Sequence, residues 1–338
     1  MIIRSRSPVR IEFGGGGTDM PQYYENYSGC VLNATINKYV YGTLVPKHTN
    51  DMKFIASGYK TSALFKDIRE ADPDADVRLI KAIISEMKIS YGIDVFVRSD
   101  IPPNTGLGSN ATVASAVIGL FNHLKYEKGL NKYEIAELAY KVANLGMQVP
   151  GGKQCQYAST FGGINFIEFS KKGTYVHPLN LKKETVLELE KNLLLIYIGQ
   201  RGSHAAVQNI IQQQQQSYTE NQKIELLDKL KTIAIGMRYS LLRNDLTEFG
   251  ELLGEAWETK KILNPSITND HINELYRTAV DAGALGGRIM GAGGGGHMLF
   301  YAKSNKEHEV AKALEEKGAS VMDFCFEHSG METWEVNE

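Results

Sequence analysis

Three glycine-rich segments of this chain offer bare backbone where a charged ligand could approach. In "SDIPPNTGLGSNATVAS" two prolines stiffen the exit from an apolar run. Gly106 and Gly108 then let the chain curl so that successive N–H groups turn inward. A helix-compatible stretch begins near Ser109, so those N–H groups and the positive end of a helix dipole would form an anion site suited to phosphates. A ligand-free strand-to-helix turn needs fewer glycines. No lysine completes the glycine-lysine-serine of a Walker loop. "GLGSNA" fits a dinucleotide fingerprint, but the strand and acid expected about twenty residues later are replaced by another helical segment, "NKYEIAELAY".

The first segment, "SPVRIEFGGGGTDM", joins Arg10 to a four-glycine run and Asp19. An arginine suits a phosphoryl group, and a carboxylate beside bare backbone suits sugar hydroxyls. Asp19 as a simple cap for the next segment is the plainer alternative. The third, "GRIMGAGGGGHMLF", leaves room for a close ligand, or makes a tight turn between two strands. A fourth stretch, "VPGGKQCQYASTFGG", sets Cys155 between two glutamines. A free thiol titrates near pH 8.5 and could act as a weak base if Arg10 or Lys153 lowered that value; otherwise it is an inert packing group.

These residues need elements to hold them. "IIRSRSPVRIEF", "GCVLNATINKYVYGTLVPK", "DMKFIAS" and "IDVFVRSDI" read as strands, and "DVRLIKAIISEMKISYG" as a helix. "NKYEIAELAYKVANLG" opens with Asn131 as cap and Glu134 three residues on, a capping box. "GINFIEF" and "LLLIYIG" are short strands, and the chain turns helical from about residue 201. The run Gln212–Gln216 belongs to a solvated helix face. "GRIMGAGGGGHMLFYAK" gives a strand, loop and strand, "KEHEVAKALEEKG" a helix, and "ASVMDFCFE" a closing strand. The pattern is α+β in two domains, residues 1–170 and 171–338.

The bulk properties exclude several classes. A composition of 43% hydrophobic and 22% charged residues over 338 positions fills a sizeable globular core. A net charge of −2 gives no footprint for nucleic acid or anionic membrane. No apolar run approaches the roughly 18 residues of a membrane span. "MIIRSRSPVR" is neither signal nor transit peptide, so the expected compartment is the cytoplasm. Cys30, Cys155 and Cys325 have no metal-ligand spacing and make no even-numbered disulfide framework.

The order and spacing of "RSPVRIEFGGGGTD", "PPNTGLGSNATVAS" and "GRIMGAGGGGHMLF" resemble the motifs of the GHMP small-molecule kinases, the superfamily of galactokinase, homoserine kinase, mevalonate kinase and phosphomevalonate kinase. "VLNATINKYVY" and "GGKQCQYASTFGGINFIEF" are similar to segments of bacterial heptose-phosphate kinases, which serve nucleotide-heptose and surface polysaccharide synthesis. The resemblance spans the chain. It implies an N-terminal domain like the second domain of ribosomal protein S5 and a ferredoxin-like, helix-rich C-terminal domain. It also implies ATP and Mg²⁺, a small-molecule sugar phosphate as acceptor, and leaves room for a homodimer. Pro103, Asn104, Thr105, Gly106, Leu107, Gly108, Ser109 and Asn110 would take the nucleotide. Gly15, Gly16, Gly17, Thr18 and Asp19, with Gly291, Gly293 and Gly294, would line the acceptor's side. Arg10 and Cys155 would stand at the reaction centre.

Three positions depart from that pattern. Cys155 occupies the place of the family's aspartate, Ala143 that of a magnesium-binding glutamate, and Asn110 that of a metal-serving serine. A thiol, a methyl group and an amide do not make a magnesium site, so the metal ligands are left unassigned. Phosphoryl transfer through a loose transition state depends on positioning and charge neutralisation more than on deprotonation. Lys153 is a candidate source of the missing charge. Two readings remain open: an ATP-dependent sugar or sugar-phosphate kinase, most closely a heptose 7-phosphate kinase, with a rearranged centre; or a protein that kept the cleft, binds nucleotide or sugar, and lost the reaction.

Overall fold

Strand alternation in the first residues decides which side chains reach the site. The computed structural model describes residues 1–57, 61–65, 75–124, 129–147, 151–201 and 221–337. In strand β1 (Ile2–Gly14), Val9, Ile11 and Phe13 are buried in a core, and Arg10 and Glu12 therefore face the opposite side. β1 pairs antiparallel with the long β2 (Gly29–Pro46), and the register shifts between Pro8 and Val9, where the proline has no N–H to give the ladder. Between them lies helix α1 (Pro21–Tyr27). β2 serves two further partners, β5 (Ile93–Ser99) with its second half and β6 (Ile164–Ser170) with its first. β3 (Met52–Ser57) runs parallel to β5 and antiparallel to β4 (Thr61–Phe65), while β7 (Gly173–Pro178) pairs with β6. The parallel pair needs a crossover, which includes α2 (Ala75–Glu86).

Sheet membership does not follow chain order beyond residue 170. β7 stays in the large sheet, and β12 (Glu332–Val336) returns to pair with Ile2–Arg6 of β1. The closing strand expected over "ASVMDFCFE" is cut short. Only β11 (Ser320–Met322) is strand there, and Phe326 adds an isolated bridge to Ile36. β12 was hidden by its composition: "ETWEV" is a half-exposed edge strand whose charges mask the alternation. A second antiparallel sheet has the order β11, β8 (Leu193–Tyr197), β10 (His297–Ala302), β9 (Ala284–Ile289).

Helices cover both faces of the large sheet. α2, α3 (Ser109–Leu124) and α4 (Lys132–Met147) bury Ile83, Val117, Phe121 and Val142 against Val40, Val95 and Val97. On the other face, α7 (Asn221–Arg243) and α8 (Leu246–Leu263) pack Leu230, Met237 and Phe249 on Val9, Ile11 and Phe13. A third core sets Trp257 of α8, Leu275 of α9 (Asp270–Ala282) and Val310 of α10 (Glu307–Glu315) against the second sheet. The short α5 (Gln154–Phe161) packs on α3 and α4, and α6 (Lys183–Asn192) precedes β8. The capping box at α4 is complete: Asn131 Oδ1 accepts from the N–H groups of Tyr133 and Glu134, and Glu134 Oε2 accepts from the Asn131 N–H. The Gln212–Gln216 run lies outside the described residues. Among the described residues, no helix is long and apolar enough to cross a membrane.

Candidate active site

A cavity of about 260 Å³ opens where the polar face of β1, the N-termini of α3 and α5, the loop after β9 and one side of α8 meet. It brings together Arg10, Gly16, Gly17, Asp19, Asn104, Gly106, Gly108, Ser109, Asn110, Cys155 and Gly291. Other residues expected at the site stand behind its wall and shape it. The Thr18 hydroxyl lies 2.8 Å from the carbonyl oxygens of Gly15 and of Cys30. Leu107 is wholly buried, and the Thr105 carbonyl accepts the His297 N–H. Gly294 donates its N–H to the Ile267 carbonyl, and a Cβ on Gly293 would stand 2.3 Å from the Ile267 side chain. Pro103 does not reach the cavity.

The phosphate side is built on backbone that only unusual residues tolerate. Gly106 and Gly108 have φ of 93° and 84°, and Asn104 has 61°. These left-handed positions lead the chain into the first turn of α3, where Ser109, Asn110 and Ala111 line the cavity. Among the described residues, the buried Ser109 hydroxyl has no hydrogen-bond partner. Arg10 is pinned across the loop, its backbone N–H on the Leu107 carbonyl and its Nη1 on the Gly106 carbonyl. A second guanidinium, Arg201, follows β8 and donates to the carbonyls of Gly295 and Met290. Burial and the charge of Arg10 lower its pKa to about 10, so Arg201 stays protonated at neutral pH.

Two buried carboxylates, Glu12 and Asp19, line the same cavity. Glu12 Oε1 pairs with Arg288 Nη2 at 2.6 Å, and Glu12 Oε2 accepts from Gln154 Nε2 at 3.1 Å. Burial alone would raise the Glu12 pKa. Arg288, Lys260 and Arg10, with the Gln154 hydrogen bond, outweigh it and hold the carboxyl below its usual range. Asp19 Oδ1 accepts from the Gly17 N–H at 3.0 Å and Oδ2 from the Gln154 N–H, at the start of α5, at 3.2 Å. Gly152 lies against this carboxylate; a Cβ there would be 1.9 Å from Asp19 Oδ2. Burial and the like charge of Glu12 raise the Asp19 pKa despite these donors and Lys260. Lys260, on α8, donates to the Gly16 carbonyl, and burial lowers its pKa to about 8.

Cys155 stands between the two sides. A Cβ on Gly108 would lie 3.3 Å from Cys155 Cβ and 3.4 Å from its Sγ. Burial pushes the thiol pKa up, Asp19 and Glu12 add to this, and Arg10 opposes it, so at neutral pH it is a neutral thiol. Lys153 does not line the cavity. Its ammonium pairs with Glu137 at 2.7 Å and lies over the rings of Tyr140 and Tyr24. No three His, Cys, Asp or Glu residues stand together as a metal site among the described residues. Asn110 and Ala143 both line the cavity and supply one amide and one methyl group. The residues present therefore do not fit a protein-held magnesium ion.

Glu12, Gln154, Arg201, Lys260 and Arg288 were not singled out by the sequence motifs. Lys260 had a signal: it continues the stripe Phe249, Leu253, Ala256 and Trp257 of α8, where a lysine has no place unless something polar meets it.

The chain matches the family models described as GHMP kinases N terminal domain, over residues 77–163, and GHMP kinases C terminal, over residues 237–320. It is 32% identical to the D-glycero-alpha-D-manno-heptose 7-phosphate kinase of Campylobacter jejuni, covering 99% of each chain. The crystal structure of a D-glycero-D-manno-heptose 1-phosphate kinase from Bacteroides thetaiotaomicron superposes with a TM-score of 0.79 at 29% identity, over 99% of this chain and 100% of that one. Lactococcus lactis galactokinase complexed with galactose, at 18% identity and a TM-score of 0.77 over 99% and 95% of the two chains, shares the fold.

Proposed function

Because this chain belongs to the GHMP kinase family, we propose that its ATP-dependent sugar phosphate kinase activity is directed at a heptose 7-phosphate. The product would be a heptose bisphosphate, suited to nucleotide-heptose and surface polysaccharide synthesis. One observation carries the reading: Arg10, Asp19 and the N-terminus of α3 face a single cavity. Donors for phosphates and an acceptor for hydroxyls are thereby held around the same space.

In this reading the N–H groups of the Gly106–Asn110 turn and the Ser109 hydroxyl bind the phosphates of ATP. Arg10 and Arg201 spread the charge that develops on the transferred group. Asp19 and the buried Gln154 Oε1, which has no partner among the described residues, take hydroxyls of the acceptor. The cations lining the cavity are Arg10, Arg201 and Lys260 and the anions Glu12 and Asp19, with Glu12 further offset by Arg288. The balance favours an anionic acceptor over a plain sugar. Mg²⁺ enters as part of the nucleotide, and no protein ligand is assigned to it. Cys155 packs and takes no proton.

The test is ADP formation from ATP with D-glycero-D-manno-heptose 7-phosphate, set beside hexose 6-phosphates and unphosphorylated sugars. Turnover confined to the heptose phosphate is the expected result. The neutral thiol and the missing metal ligands favour the second reading, a binding protein without turnover. Calorimetric binding of nucleotide and heptose phosphate with no ADP formed would establish it.

A further inference from the structure

We infer that Asp19 takes the proton of the acceptor hydroxyl, and that Glu12, locked by Arg288 and by the same Gln154 that holds Asp19, is the positioning residue for that role. The inference rests on the kinase reading above and assigns a group for which that reading leaves no candidate at position 155. Only two carboxylates line the cavity among the described residues, Glu12 and Asp19. Their surroundings divide the labour. Glu12 is committed to Arg288 at 2.6 Å and to Gln154 Nε2 at 3.1 Å. Asp19 is held by two backbone N–H groups, one on each oxygen, and among the described residues no cation stands within ion-pair distance of it. An ionised carboxylate has about four acceptor sites, so two remain for a substrate hydroxyl.

The groups facing Asp19 come from every element around it: Glu12 of β1, Tyr24 of α1, Tyr140 of α4, Cys155 of α5 and Lys260 of α8, with Lys153 turned away onto Glu137. Burial and the Glu12 charge raise the proton affinity of Asp19, whereas Glu12 itself is held low. Two neighbouring carboxylates pushed apart in this way mark the base and its charged neighbour. In the step, the acceptor oxygen forms its bond to the γ-phosphorus as the bond from that phosphorus to the β,γ-bridging oxygen breaks. ADP leaves with that electron pair, and the hydroxyl proton passes to an Asp19 carboxylate oxygen.

Two variants test this independently. Asp19→Asn keeps the shape and an oxygen for hydroxyl binding but cannot take the proton. The expected result is a fall in kcat of about 10²-fold, the low end for a positioned base because the proton moves late. Acceptor KM and nucleotide Kd should stay within a few-fold of the parent. Cys155→Asp in that background, which supplies a carboxylate on α5 next to Gln154, the residue whose N–H holds Asp19, should recover at least about tenfold of the loss. Glu12→Gln removes the like charge, so the acid limb of kcat/KM should move to lower pH. A purely structural role would not shift it. Parental kcat in folded Asp19→Asn, or an acid limb unmoved in folded Glu12→Gln, overturns the assignment. Absence of ADP formation by the parent enzyme strikes the kinase reading instead, and is read before either variant is made.

Discussion

Gly108 shows how much one residue without a side chain can decide. Its φ of 84° is strained for any L residue, and its missing Cβ leaves contact distance to Cys155 and an open face toward the cavity. Gly108→Val should cost about 1–3 kcal/mol of stability from the strained backbone. It should also weaken nucleotide binding by more than about tenfold, since the phosphates must approach that same backbone. Calorimetry on the folded variant checks it, and parental affinity would refute the loop assignment. The three departures permit a second prediction. Cys155→Asp, Ala143→Glu and Asn110→Ser all change residues that line one cavity. The triple variant should raise kcat by about 10²-fold or more, chiefly by giving Mg²⁺ protein ligands since Asp19 already takes the proton, while single changes do little, because groups acting as a unit are not additive. Steady-state kinetics on all seven combinations, with magnesium varied, decides this. At this scale the glycine loops, Arg10 and Asp19 were legible because each signal is local. Glu12 was not: between Ile11 and Phe13 it reads as an ordinary outward strand residue, and its partner Arg288 lies far along the chain.

Elements were legible in proportion to the regularity of their own pattern. The α4 start could be read from Asn131 and Glu134, and both reciprocal bonds form. Asn131→Ala should therefore cost about 1 kcal/mol in urea unfolding and leave turnover unchanged, because the cap faces solvent away from the cavity. A loss within experimental error would mean that the helix start is held by packing alone. β12 illustrates the opposite case. The charges of "ETWEV" mask its strand character, and its pairing covers Ile2–Arg6 of β1, which would otherwise be an open edge. Arg6 and Glu332 then pair at 2.7 Å across that edge. Half-exposed, this ion pair steers register more than it stabilises. The helix α8 lies between these extremes: its apolar stripe was readable, but the lysine within that stripe acquires meaning only from the loop it meets.

At the scale of the whole molecule, Lys260 ties the helical half of the chain to the site. Its ammonium reaches from α8 to the Gly16 carbonyl and sits beside Glu12, so two distant stretches of sequence meet at one buried charge. Such long-range contacts are what a single sequence does not display, and they account for most of what was missed at the site. The contact also has a sign that can be measured. Burial lowers the Lys260 pKa from 10.5 to about 8, so between those values the folded state binds fewer protons than the unfolded chain. Stability arising from this group must then rise with pH across the window. Below pH 8 the full cost of holding the buried charge is present, and above 10.5 it is gone; at about 1.4 kcal/mol per pH unit the change is a few kcal/mol. The buried tyrosines and thiols titrate in the same region in the opposite sense, so the total stability does not isolate it. The difference between Lys260→Met and the parent does. The methionine variant loses the Gly16 bond at every pH, a constant offset, but carries no titrating group. Its stability relative to the parent should be highest below pH 8 and fall steadily toward pH 10.5. Urea unfolding of both proteins at intervals from pH 7 to about 10.5 measures this directly. A flat difference would mean that Lys260 is solvated in the folded protein and does not clamp the cleft as a buried charge.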